Sequence, residues 1–198
     1  ARTVVHQVRP LREGARRVCA ALAFFAEALP HFGDPALRAE VEIPLATDLQ
    51  ADGQQAREAR LPILLTFSAI VCDYCRQLED EFLRPMLISG EYTDKVLIRR
   101  LLLDNGSRVI DFSGERIATT ELSDRYKVFV TPTILFLDGD GNELARRMVG
   151  INTPEMYGGY LDNCIDTALY TIRAPSMLAQ LPGCRLQPKA SALNPAAP

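Results

Sequence analysis

The sequence predicts a layered α/β sandwich with a mixed central sheet, and three observations carry that expectation. Apolar, strand-like runs alternate with amphipathic helical stretches, a Gly- and Asn-rich turn joins the last two strands into a hairpin, and a helix closes the pattern. Strands separated by helices become parallel neighbours, whereas a tight turn forces an antiparallel pair, so one sheet holds both kinds.

Taken in order, TDLQADGQQAREAR (residues 47–60) is the first predicted helix, with Thr47 or Asp48 as N-cap because either side chain accepts from a free first-turn amide. LPILLTFSA follows as a buried strand. DYCRQLEDEFLRPML then sets Tyr74, Leu78 and Phe82 on one helical face, and Pro85 is expected to kink or end that helix. KVLIRRLLLD is a second buried strand, and a polar stretch rich in turn formers runs through Asn105 and Gly114. TTELSDRYK reads as a short capped helix. TPTILFLDGDGNELARRMVG supplies two strands around the turn Asp138 to Asn142. NTPEMYGGYLDNCIDTALYTIR closes as a helix, with Thr153 as N-cap and Pro154 in the first turn, where its missing N–H is harmless.

The 198 residues, 47% of them hydrophobic, suffice for one domain with appendages and a real core. A net charge of -3 supplies no broad cationic field, and the aromatics do not alternate with basic residues, so nucleic acid is not an expected partner. Five cysteines are too few for a disulfide-built miniprotein.

Residues 1–40 differ from the rest. Arg2, Arg9, Arg12, Arg16 and Arg17 precede the apolar VCAALAFFAEAL, the order of a secretory signal or membrane anchor. The run is short, contains Glu27 and meets Pro30, so it does not read as a full membrane span. An amphipathic helix with Leu22, Phe25 and Leu29 on one face is the competing reading. Residues 41–173 form the predicted domain, and 174–198 an extended tail rich in Pro and Ala.

FSAIVCDYCRQLEDEF (residues 67–82) puts Cys72 and Cys75 where an apolar strand gives way to a helix. Three chemistries are open to such a pair: metal binding, a structural staple, or a reactive dithiol. Zinc needs four Cys or His ligands, and the only histidines, His6 and His31, lie far from the motif in sequence. A staple across so short a loop restricts the unfolded chain little. A reactive dithiol fits the placement.

With VTPT following in order, the C-x-x-C motif strongly resembles the thioredoxin superfamily over roughly residues 45–173. CDYCRQLEDEFLRPML is most similar to exported SoxW-type thioredoxins and to thioredoxin-like domains of periplasmic disulfide reductases. The resemblance implies a thioredoxin fold, a three-layer sandwich, and a cis Thr131–Pro132 peptide brought against the dithiol. It further implies that the backbone at Thr131 and Pro132 pairs with an extended substrate segment, with Asp73 and Tyr74 also in contact with substrate.

A helix N-terminus favours the thiolate of Cys72 and makes it the attacking nucleophile. Cys75, one turn further on and more buried, is then placed to resolve a mixed disulfide. Asp73 opposes thiolate formation if it faces the sulfurs, so only a moderate lowering of the Cys72 pKa is expected, suited to a reductant. Two positions depart from the family: Thr66 stands where many members carry a buried aspartate, leaving Glu79 as the nearest carboxylate, and Val71 replaces the usual tryptophan. A narrower client range than a general thioredoxin's follows.

The expected function is therefore thiol-disulfide exchange outside the cytoplasm, mainly reduction of specific protein disulfides, with an upstream dithiol donor, a membrane reductase, recharging the pair. No flavin or metal cofactor is implied. A dithiol oxidase or isomerase, or a thioredoxin-fold binding module with incidental redox activity, stands as the alternative. Cys164 reads first as a buried small apolar residue, with a bond to Cys184 as the other option; Cys19 belongs to the N-terminal apolar run. The Arg99-Arg100 and Arg146-Arg147 pairs read as solvated strand residues.

Overall fold

β1 (Ile63–Ser68) is buried along its whole length, which requires a layer on each face of the sheet. Its alternate side chains divide between two cores: Leu64 joins Leu78, Leu83, Leu161 and Ile165, while Ile63, Leu65 and Phe67 join Leu49, Ala56 and Leu122. The computed structural model describes residues 41–174 together with 183, 184 and 186. The N-terminal segment 1–40, with His6, Cys19 and His31, and almost all of the predicted tail lie outside the described residues.

The elements follow the predicted order. α1 (Leu49–Ala59) leads into β1; after the C-x-x-C motif come α2 (Asp73–Leu78), a π-helical turn Glu79–Leu83 and α3 (Arg84–Ser89). β2 (Leu97–Leu102), the small β3 (Arg108–Ile110) and β4 (Arg116–Ala118), α4 (Thr119–Arg125), β5 (Thr133–Leu137), β6 (Glu143–Val149) and α5 (Pro154–Arg173) complete the domain. The main sheet runs β2-β1-β5-β6, with β1 parallel to β2 and antiparallel to β5, and β5 antiparallel to β6. α2, α3 and α5 supply core residues on one face and α1 and α4 on the other, so the predicted mixed-sheet, three-layer fold is the one formed.

Local chemistry explains where the elements begin and end. Asp48 is the α1 cap, its carboxylate accepting from the Ala51 amide at 2.9 Å. Asp138 builds the hairpin turn by accepting from the amides of Asp140 and Asn142, and Gly141 takes the left-handed φ of 84°.

Four expectations are corrected. Pro85 does not end its helix: the π turn before it shifts the hydrogen-bond register, the Arg84 amide reaching back to Glu79, and Pro85 falls in the first turn of α3, where no N–H is needed. Thr153 precedes α5 in a left-handed conformation and donates to Asn152 O instead of capping the helix, leaving Pro154 to start it. α4 begins after Ala118 with no side-chain cap, and the polar stretch before it holds the β3–β4 hairpin. Arg99 and Arg100 are not solvated: Arg99 pairs with Asp52 and Arg100 with Glu79, each at 2.8 Å, because their strand lies under α1 on one face and α2 on the other.

Both edges of the sheet are covered by chain from outside it. Residues 44–46 run along β2, with Arg100 N donating to Pro44 O and Ala46 N to Arg100 O, both at 2.8 Å. At the other edge Arg146 N of β6 donates to Cys184 O at 2.8 Å. Cys184 is held there by a disulfide to Cys164 of α5, so Cys164 is buried as expected but bonded. A bond spanning 20 residues restricts the unfolded chain by about 3 kcal/mol. Cys184→Ser should lower unfolding stability by about that amount in a denaturant titration, while the alkylation rate of reduced Cys72 stays unchanged; equal stability of the variant and parent would deny the bond a structural role.

Candidate active site

β1 ends at Ser68, a three-residue loop follows, and α2 begins with Cys72 as its N-cap. The cap is made by sulfur: the Cys75 amide points at Cys72 Sγ from 3.1 Å. The two cysteines are joined as a disulfide with Cα atoms 5.2 Å apart. Cys75 is 1% exposed, whereas Cys72 is only half-buried, so an incoming sulfur reaches Cys72 first.

From the opposite side, the loop before β5 brings Thr131 to the disulfide, its hydroxyl donating to Cys72 Sγ at 3.6 Å. The Thr131–Pro132 peptide is cis, and Pro132 is buried. The loop is anchored on both sides, Thr133 Oγ1 donating to Val130 O at 2.7 Å and Gly150 N to Pro132 O at 2.8 Å. Cys72 Sγ thus faces two hydrogen-bond donors, a backbone amide and a hydroxyl, both suited to a sulfur that carries negative charge.

Asp73 and Tyr74 are exposed on the first turn of α2. Asp73 turns to Arg76, with which it forms an ion pair, so its charge is partly offset rather than aimed at the sulfurs. Tyr74 is 63% exposed and stands in an apolar collar with Ile70, Val71, Phe129 and Val130, the last two from the cis-proline loop. Exposed apolar side chains on two loops that meet at one disulfide form a surface for another chain.

Below the disulfide lies a buried charge. Glu79, one helical turn beyond Cys75, accepts from Ser68 Oγ at 3.2 Å and from Arg100 at 2.8 Å, with the Arg84 guanidinium at 3.7 Å. Thr66 Oγ1 is buried without a partner among the described residues, and it sits beside Arg100 in the β1–β2 register. The carboxylate at the base of the site therefore comes from the helix and not from β1.

Sequence reasoning placed Cys72, Cys75, Thr131, Pro132, Asp73 and Tyr74 together, and the fold brings all six to one end of the sheet. It missed Asp104, which holds the loop before Cys72, and the collar residues Ile70, Phe129 and Val130. Two apolar residues just before a Thr-Pro pair, where a turn should be polar, were the available signal for the collar. Among the described residues no group of three or more His, Cys, Asp or Glu is arranged to hold a metal.

A family profile described as a thioredoxin-like domain matches residues 49–165, more than half of the chain and the whole span of the site. The chain belongs to the thioredoxin-like family. This thioredoxin-like protein is also similar to solved thioredoxins: poplar thioredoxin h at 22% identity, covering 57% of this chain and 84% of that one with a TM-score of 0.39, and Fasciola hepatica thioredoxin at 19% identity, covering 63% and 97% with a TM-score of 0.41. Saccharomyces cerevisiae mitochondrial thioredoxin 3 is 17% identical over 64% of this chain and 98% of its own, with a TM-score of 0.42. No curated protein sequence matches the chain. The thioredoxin-like fold with its bonded Cys72–Cys75 pair is the constellation of a thiol-disulfide oxidoreductase.

Removing Glu79 takes from the largely buried Arg100 its closest counter-charge and leaves it the exposed Glu42 at 3.6 Å. Glu79→Ala should lower stability by about 3 kcal/mol, and Glu79→Gln, which keeps a partner for Ser68, by less; equal losses in chemical denaturation would show that charge at this position is immaterial.

Proposed function

We propose that the protein reduces disulfides of specific client proteins outside the cytoplasm. The observation that carries the reading is the unequal burial of the two sulfurs, an accessible Cys72 capping a helix and a buried Cys75 bonded to it. In the reduced protein the Cys72 thiolate attacks one sulfur of a client disulfide, forms a mixed disulfide and expels the other client sulfur as a thiolate, which takes up a proton. The Cys75 thiolate then attacks Cys72 Sγ, re-forming the Cys72–Cys75 bond and releasing the second client thiol. Two electrons and two protons pass to the client, and an upstream dithiol donor, a membrane reductase, restores them.

Asp73, Tyr74, Thr131 and Pro132 are the client-contacting residues in this reading, the client lying as an extended segment across the apolar collar. Thr131 and the Cys75 amide stabilise the Cys72 thiolate as attacker and as leaving group. Glu79, fixed by Arg100 and Ser68 one turn from Cys75, is the carboxylate available to the Cys75 proton.

Cys75→Ser removes the resolving sulfur, so it should accumulate mixed disulfides with clients on non-reducing gels, and Cys72→Ser should trap none. Mass spectrometry of the trapped peptides should find apolar residues beside the client cysteine; polar flanks would detach the collar from client binding. A Cys72–Cys75 potential near that of thioredoxin, roughly -270 mV by glutathione equilibration, supports reduction, whereas one near about -120 mV makes the protein a dithiol oxidase. Failure to trap any client would favour the binding-module alternative.

Two observations support an extracytoplasmic setting of the SoxW type: the basic and apolar order of residues 1–40, and a second, buried disulfide of the kind that persists in oxidising compartments. Acid-quenched alkylation of cells should find Cys164 and Cys184 oxidised. Recovery of both as free thiols would place the protein in a reducing compartment.

A further inference from the structure

The loop between β1 and the dithiol is held by a side chain that neither sequence motif contains. Asp104, two residues beyond β2, accepts from the Ile70 amide through both carboxylate oxygens, at 2.9 and 2.8 Å, and from the Val71 amide at 3.4 Å. The adjacent Leu103 amide donates to Ser68 O at 3.0 Å, so the continuation of β2 grips the continuation of β1 right up to the residue before Cys72. Ile70 and Val71 are 59% and 92% exposed. Apolar packing therefore does little to hold this loop, and its amides find their acceptor in one carboxylate.

We infer that Asp104 is the positioning residue of the dithiol: it fixes the approach loop, and its exposed negative charge, bonded to the amide of the residue before Cys72, holds the thiolate in check. This rests on the thiol-disulfide exchange reading for its use but not for its physics. Charge-assisted bonds to two successive amides set where the Cys72 backbone enters α2, and hence where its sulfur stands relative to Thr131. The same charge disfavours a second negative charge on Cys72 Sγ. The other charges around the site are already matched: Asp73 pairs with Arg76, and Glu79 pairs with Arg100 and Arg84. The cis-proline loop contributes the uncharged Thr131. Asp104 is bonded to amides that carry no net charge, and among the described residues no cation forms a salt bridge with it. A thiolate kept from becoming too stable belongs to a pair that holds its disulfide more firmly and donates electrons more readily, since stabilising the reduced form makes a dithiol oxidising.

Three variants separate the charge from the grip. Asp104→Asn keeps an oxygen for the Ile70 amide and loses the charge, Asp104→Glu keeps the charge on a longer stem, and Asp104→Ala removes both. The rate of Cys72 alkylation by iodoacetamide, followed against pH in the reduced protein, reads the thiol without any client, and the glutathione equilibrium reads the pair. Asp104→Asn should raise the thiolate fraction near pH 7 roughly three- to tenfold, move the alkylation profile to lower pH and shift the equilibrium toward the dithiol; Asp104→Glu should restore the parent profile. Asp104→Ala should match Asn in the profile and in addition speed hydrogen exchange at Ile70 and Val71. Unchanged profiles and equilibria in Asn and Ala, with folding intact, would overturn the inference. Because neither readout uses a client, a protein that reduces nothing can still pass this test, and one that traps clients can still fail it.

Discussion

A cysteine sulfur serves as a helix cap, and the active-site arrangement depends on that substitution. Caps are ordinarily oxygen, and the small polar residues that supply it also end the preceding strand cleanly. Here Cys72 Sγ takes the amide of Cys75, which sets the two residues one turn apart with their sulfurs in bonding reach and binds each to the same backbone geometry. One consequence is the division of labour between them, because a cap stands outside the helix while a third residue faces the core. Another is that any force holding the loop before Cys72 acts directly on the redox pair.

Beneath this cap the protein accommodates charge where a strand would ordinarily be apolar. β1 contributes Thr66 with a hydroxyl unpartnered among the described residues, and its neighbour in β2 is Arg100. A cation so placed demands a counter-charge, and Glu79 on the helical run beyond the cysteines provides it, with Ser68 binding the second oxygen. The π turn that begins at Glu79 and the shift that accommodates Pro85 belong to the same stretch. π turns inside α-helices occur often at functional sites. This one starts at the residue that carries the buried charge, one turn beyond the dithiol.

The fold was legible because its signals are local and repeated. β1 and β5 are continuous apolar runs, the hairpin carries its own turn chemistry, and the C-x-x-C pair sits at a strand-to-helix junction, so the main elements and the mixed sheet follow from spacing, while the dithiol reading draws also on the resemblance carried by VTPT. What was not legible is long-range pairing. Arg99 and Arg100 look like solvated strand residues until α1 and the helix after the dithiol are laid over β2; Asp104 looks like the polar end of a strand until β1 is placed beside it. Pro85 misleads for a related reason: a proline is harmful only if its own register needs an N–H, and a register shift upstream is invisible in composition.

The two disulfides show how one chain keeps a reactive bond apart from a permanent one. Cys72–Cys75 closes a loop of three residues, half-exposed, with an apolar collar inviting a partner and hydrogen-bond donors ready for a thiolate. Cys164–Cys184 closes a loop of 20, both sulfurs buried, one on α5 and the other paired to the edge of the sheet. Loop entropy alone makes the longer closure worth about twice the shorter. Burial adds a kinetic barrier, since exchange requires a thiolate to approach a sulfur in line, and Cys164 and Cys184 are only 1% and 7% exposed. A protein that handles electrons through one disulfide can thus carry a second without short-circuiting the first, because accessibility and not chemistry distinguishes them.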